Sequence, residues 1–173
     1  TLALYDLTRT NFTVENPNGR GQIQIGKQQS QGIELNVTGE ILPGWNVLTG
    51  YAYTDARVAD DDQFQAGNAI NNVARNAFSL WTTYELQRGT LDGLGFGVGL
   101  FYQDNRQGDL ANSFELPSFW RTDATIFYKR DRLRTSLTLQ NVFNEEIFEG
   151  ARSNTRVIPG APRSVLGQIS WEL

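Results

Sequence analysis

Residues 160–173 read GAPRSVLGQISWEL, and the fold turns on how they are read. In an extended chain, successive side chains point to opposite faces. Val165, Gly167, Ile169, Trp171 and Leu173 therefore share one face, and Leu166, Gln168, Ser170 and Glu172 share the other. The end of a soluble domain usually frays into polar coil. Here an aromatic and an aliphatic residue stand within the last three positions of one face. Something apolar has to cover them.

The same alternation runs through the chain and predicts eight strands, at about 2–14, 22–42, 45–56, 73–87, 94–104, 118–130, 133–143 and 163–173. In the second, Ile33, Leu35, Val37 and Ile41 oppose Glu34, Asn36, Thr38 and Glu40. Trp45, Val47, Tyr51 and Tyr53 align in the third, and Phe78, Leu80, Tyr84 and Leu86 in the fourth. Leu94, Phe96, Val98, Leu100 and Tyr102 oppose Gly95, Gly97 and Gly99 in the fifth. Ala124, Ile126 and Tyr128 oppose Arg121, Asp123, Thr125 and Lys129 in the sixth; Leu133, Leu137 and Leu139 oppose Arg134, Ser136, Thr138 and Gln140 in the seventh. The first strand puts Ala3, Tyr5 and Leu7 on its apolar face, then Phe12 and Val14 on the other, which calls for a bulge.

The connections alternate in length. Pro43-Gly44, QRGTLDG (87–93) and KRDR (129–132) are short, whereas 15–21, 57–72, 105–117 and 144–162 are longer and polar. Such strict alternation means that the two ends of the strands meet different environments. Outer-membrane barrels show it, with short periplasmic turns and long outer loops. On that reading both chain ends lie on the periplasmic side. Trp45, Tyr84, Tyr102, Trp120, Tyr128 and Trp171 near strand ends suit interfacial aromatic girdles, the alternative being an ordinary sheet core. The opposite face, with Glu34, Glu40, Arg121, Asp123 and Arg134, suits a wet lumen, because unpaired buried charge is costly.

Bulk composition agrees. The 173 residues carry 39% hydrophobic residues and a net charge of −4, with no cysteine and no histidine. No apolar run approaches the roughly 18 residues of a membrane helix. Averaged hydropathy misses membrane strands, whose alternation dilutes it. The acidic balance disfavours nucleic-acid binding. Lack of His and Cys removes Ser-His-Asp catalysis and imidazole or thiolate metal sites from these residues. The chain begins at Thr1 already in a strand-like pattern, so the expectation is a piece of a longer protein.

Three stretches carry a resemblance: GKQQSQGIELNVTGEILPGWNVLTGYAYTDA (26–56), LQNVFNEEIF (139–148) and PGAPRSVLGQISWEL (159–173). They resemble the C-terminal barrel of TonB-dependent siderophore receptors, ferrichrome and other hydroxamate-type receptors in particular. The resemblance implies an all-β, antiparallel transmembrane β-barrel, with residues 1–173 as about eight C-terminal strands of a 22-stranded barrel and the plug domain absent. It implies a bacterial outer-membrane protein, no enzyme and no cofactor, with a ferric siderophore as transported ligand. Its implied partners are TonB through a missing N-terminal part, the bilayer and lipopolysaccharide. The family commonly ends in Phe, and Leu173 departs from this; the apolar face is kept, and the resemblance implies weaker recognition by the assembly machinery as an expectation. The alternative is a complete eight-stranded barrel with a structural or adhesive role.

Ligand contacts in such receptors come from outer loops and the upper lumen. The candidates here are Phe64, Phe114, Trp120 and Phe148, each weighed against loop packing or girdle. ADDDQF (59–64) lacks the spacing of a calcium loop and reads as a solvated outer loop. Asn141, Asn144, Glu145 and Glu146 read as strand capping and loop geometry, and Arg163 as structural. The track Gly95, Gly97, Gly99 offers clearance for a plug or simply close packing. The two end strands would leave unpaired edges in an isolated chain.

Overall fold

The computed structural model of the chain describes residues 1–15 and 20–172. Its strands are β1 (Leu2–Glu15), β2 (Gln22–Leu42), β3 (Trp45–Asp60), β4 (Asn76–Glu85), β5 (Leu94–Gln103), β6 (Arg106–Gln107), β7 (Glu115–Leu116), β8 (Phe119–Arg130), β9 (Leu133–Gln140), β10 (Phe148–Ser153), β11 (Arg156–Pro159) and β12 (Ser164–Trp171). Eight form one antiparallel sheet in the order β1-β2-β3-β4-β5-β8-β9-β12. These are the eight strands expected from the alternation. The short hairpins β6–β7 and β10–β11 are additions within stretches read as loops. Among the described residues no pairing joins β1 to β12, so the sheet is open and does not close as an eight-stranded barrel. Leu173 lies outside the described residues.

Tight turns at one end need unusual backbone. Pro43 presets its own φ, and Gly44 follows at φ 82°, the pairing a type II turn requires. Any Cβ on Gly44 would collide with the carbonyl oxygen of Glu85. Glu40 Oε1 accepts the Gly44 N–H at 2.7 Å, which fastens the turn.

Register carries the apolar rows across strands. Leu2, Leu35, Tyr51, Phe78, Tyr102 and Trp120 lie side by side on neighbouring strands, as do Trp45, Tyr84, Phe96, Ile126 and Leu137. Between them run Val47, Val98 and Leu139. This face is exposed: Leu137 is 52% accessible, Trp120 54% and Ile169 77%. An apolar face this continuous demands a non-aqueous solvent.

Three expectations are corrected. Leu2 lies in the row of Tyr51, Phe78 and Trp120, well above the tight turns, so only the C-terminal end of the chain is at the tight-turn side. In β1 the residues continuing the outer face are Leu2 and Leu4, opposite Leu35 and Ile33. Ala3, Tyr5 and Leu7 belong to the inner side; the Tyr5 hydroxyl reaches across Gly32 to Thr54 Oγ1 at 3.0 Å. The β1–β2 register also runs unbroken from Leu2↔Leu35 to Glu15↔Gln22, without the expected bulge. The irregularity there is conformational: Asn11 takes φ 54°, which asparagine tolerates better than most residues.

Candidate functional site at the inner wall and outer rim

The inner face is polar but not uniformly so. Its charges are largely paired along the wall: Lys129 Nζ with Glu85 at 2.7 Å, Arg134 with Glu172 at 2.9 Å, and Arg121 with Asp123 at 3.2 Å. Between them lie apolar side chains that the expectation of a polar or small-residue face did not include. The Trp81 ring covers Gly99, the Phe127 ring covers Gly95, and the methyls of Thr125 and Thr83 flank Gly97. The glycines therefore serve close packing within the wall; rings from adjacent strands fill the space above them. Lys129 also lies over Phe127, and the Arg121 guanidinium over Phe101 at 4.4 Å. A cleft of about 350 Å³ opens on this face between Glu34, Asn36, Ser79, Gln103, Phe119 and Arg121. Arg121 Nε there is buried and bonds to nothing among the described residues.

Above the upper aromatic row the strands end in the long connections 61–75, 104–118 and 141–163. These are not loose. Every buried apolar side chain of the described residues lies in or beside them: Val58, Phe64, Leu110, Leu116, Ile147 and Ala151. Val58, Phe64 and Leu110 form a small core with Ile70 against it. Asp61 shapes the first loop, its carboxylate accepting the N–H groups of Gly26, Gln63 and Phe64 at 2.7, 2.7 and 2.9 Å. Burial pushes this carboxyl upward, but the three donors outweigh it and hold it below the 3.8 of a free aspartate. ADDDQF is thus organised by its own backbone, as a loop.

Arg106, at the start of the 104–118 connection, is a buried charge of the rim, 4% exposed. It donates to Gln103 Oε1 and Phe148 O, each at 2.6 Å, and more weakly to Glu149 O at 3.4 Å. Desolvation by burial lowers its pKa from the usual value. Asn141, 1% exposed, accepts the Glu145 N–H at 2.8 Å and donates to the carbonyls of Glu145 and Ala161. Its own N–H is held by Asp123 Oδ1 at 2.9 Å. Asn144 Oδ1 takes the Arg163 N–H at 2.9 Å. This group caps strands and shapes the loop before β12, as its sequence suggests.

The four candidate contact residues do not converge on one point. Phe64 is in the loop core, 8% exposed. Phe114 lies across Gly108 in the β6–β7 hairpin. Phe148 is half-buried at the start of β10. Trp120 faces outward with its ring 4.7 Å from Tyr102 and 6.3 Å from Phe78. It belongs to the aromatic row and points away from the lumen. Sequence reasoning missed Arg106, Asn72 and Asn112, the residues that join the loops, because nothing in a single sequence marks contacts between segments so far apart.

These features define a class first: a section of the wall and outer rim of a bilayer-spanning β-barrel, crossing by strands rather than helices. Over residues 1–144 the sequence matches the TonB dependent receptor-like β-barrel family, and the chain belongs to that family. It is 32% identical over 168 residues to the metal-pseudopaline receptor CntO of Pseudomonas aeruginosa (strain UCBPP-PA14), covering 95% of this chain and 24% of that protein. It is 31% identical over 175 residues to the ferrichrome outer membrane transporter/phage receptor of Escherichia coli K12, covering 98% of this chain and 23% of that protein. The crystal structure of the siderophore receptor PiuA from Acinetobacter baumannii superposes with a TM-score of 0.82 at 27% identity, covering 98% of this chain and 25% of that one. The chain thus spans about a quarter of the length of the relatives it matches. It is an outer-membrane β-barrel segment. Relatives named for different ligands are nearly equal in identity, so the wall sequence does not by itself select the hydroxamate type.

Proposed function

We propose that these residues form the C-terminal section of the barrel of a receptor that imports ferric siderophores, with the plug and the TonB-contacting segment elsewhere in the whole protein. The observation that carries the reading is the two-faced open sheet: bilayer-compatible outside, charge-paired and cleft inside, and roofed by ordered outer loops. In this mechanism cargo enters from the outer vestibule, its binding biases the plug, and TonB opens the path using the inner-membrane proton gradient. The chain's own share is to fix the wall, exclude lipid and present the rim. Phe114 and Phe148, half-buried on the outer hairpins, are the cargo contacts we retain from the four candidates, with Phe64 and Trp120 engaged in packing. No catalytic step is assigned to it; the ferric siderophore is cargo, and lipopolysaccharide surrounds the outer half.

The test is radiolabelled iron uptake by iron-starved cells lacking or carrying the whole gene, supplied with a panel of hydroxamate and catecholate siderophores. Uptake of at least one ferric siderophore should depend on both the gene and TonB. Gene-independent uptake of the whole panel would overturn the reading.

A further inference from the structure

Two asparagines in the outer loops make the same unusual contact. Asn72 donates its side-chain amide to Ala151 O at 2.8 Å and accepts the Ala151 N–H at 2.7 Å. Asn112 donates to Ala69 O and accepts the Ala69 N–H, both at 2.9 Å. Each side chain stands in for a strand, filling both backbone groups of one residue in a different loop. Both asparagines adopt left-handed backbone, with φ 62° and 55°, which asparagine tolerates better than most residues. Asn72 bridges loop 61–75 to loop 141–163; Asn112 bridges loop 104–118 back to loop 61–75.

Further links close the set. Asn68 donates to Leu110 O at 2.9 Å, and the Asn72 N–H to Gln107 O at 2.8 Å. Arg106 ties loop 104–118 to the carbonyls of Phe148 and Glu149. The shared core of Val58, Phe64 and Leu110 spans the first two loops. Every pair of the three loops is therefore joined directly by hydrogen bonds to backbone groups. Opening one loop alone would strand polar groups on both others, each at a desolvation cost.

We propose that the three outer loops form one cooperative unit, a preformed section of the vestibule wall that opens as a whole rather than as separate lids. Asn72, Asn112 and Arg106 are its positioning residues. The inference holds whichever cargo the receptor carries.

The experiment is hydrogen exchange by mass spectrometry on the whole receptor in lipid nanodiscs, comparing wild type with Asn72→Asp. Aspartate keeps the outline and the tolerance for left-handed backbone but cannot donate to Ala151 O. Cooperative opening predicts faster exchange, by about tenfold or more, at the Ala151 peptide and also at Gly108 and Ser113 in loop 104–118, whose N–H groups are held within that loop by Phe114 O and Asp109 Oδ1. Acceleration confined to loops 61–75 and 141–163, or none, would overturn the unit. Asn112→Asp provides the reverse reading, with acceleration expected at Ala151, and serves if the first variant fails to assemble.

Discussion

The wall and the rim obey opposite rules although the same strands run through both. In the wall, parity decides which way a side chain faces: odd positions of β3 and even positions of β4, β5 and β8 face out, and there Trp45, Tyr84, Phe96, Val98, Trp120 and Ile126 stay exposed. In the rim, parity decides little, and Val58, Phe64, Leu110, Leu116, Ile147 and Ala151 are buried in the manner of a small soluble protein, while Phe143 and Ile158 stay exposed. The difference shows where water is. A continuous apolar surface is left uncovered on the face that lipid covers, and a conventional core forms in the loops where lipid ends.

The contrast can be broken at either side. Phe64→Ala removes the largest side chain of the rim core, and a loss of about 3–5 kcal/mol is expected in the local opening energy of the loops. Hydrogen exchange over 57–72 reads it; unchanged protection would mean that the rim has no working core. Val98→Arg, midway between the aromatic rows on the outward face, should cost about 2–4 kcal/mol, read as a lower urea midpoint for unfolding from phospholipid vesicles. Thr138→Arg lies at similar depth on the inward face and should cost under about 1 kcal/mol. Equal effects of the two would refute the assignment of faces. The smallest effect is in pH. The Asp61 carboxyl is held below 3.8, so its contribution is fully present above that value and fades as pH falls through its lower folded value. Limited proteolysis of the 61–75 loop should be unchanged from pH 7 to 5 and rise only below about pH 4. Sensitivity appearing already at pH 6 would point to a different group.

How much of this was legible follows from the same contrast. All eight wall strands could be read because a period of two survives wherever one face meets lipid and the other water. Their ends moved by a few residues: β4 begins at Asn76 rather than 73, and β3 runs on to Asp60. In β1, three apolar residues at alternate positions suggested the wrong face, because Tyr5 and Leu7 are inward while Leu2 and Leu4 continue the outer row. The glycine track was ambiguous until the rings of Trp81 and Phe127 were seen lying over it. The rim was the least legible part. Its hairpins are too short to show periodicity, and its joints are single asparagines reaching across as many as 79 positions of chain. The capping role of Asn141 was readable because all its side-chain partners lie within 20 residues.

One further consequence comes from the length of β2. Its 21 residues extend roughly 70 Å at about 3.3 Å each, more than twice the ~30 Å hydrocarbon layer, even before its partners are considered. Past the upper aromatic row its outward neighbours turn hydrophilic: Asp6 holds Gln29 and Gln31, and Arg57 pairs with Asp55. The ribbon of β1, β2 and β3 therefore rises as a stiff palisade above the plane of the membrane. A particle approaching the cell at this point meets hydrogen-bonded protein well before it reaches lipid.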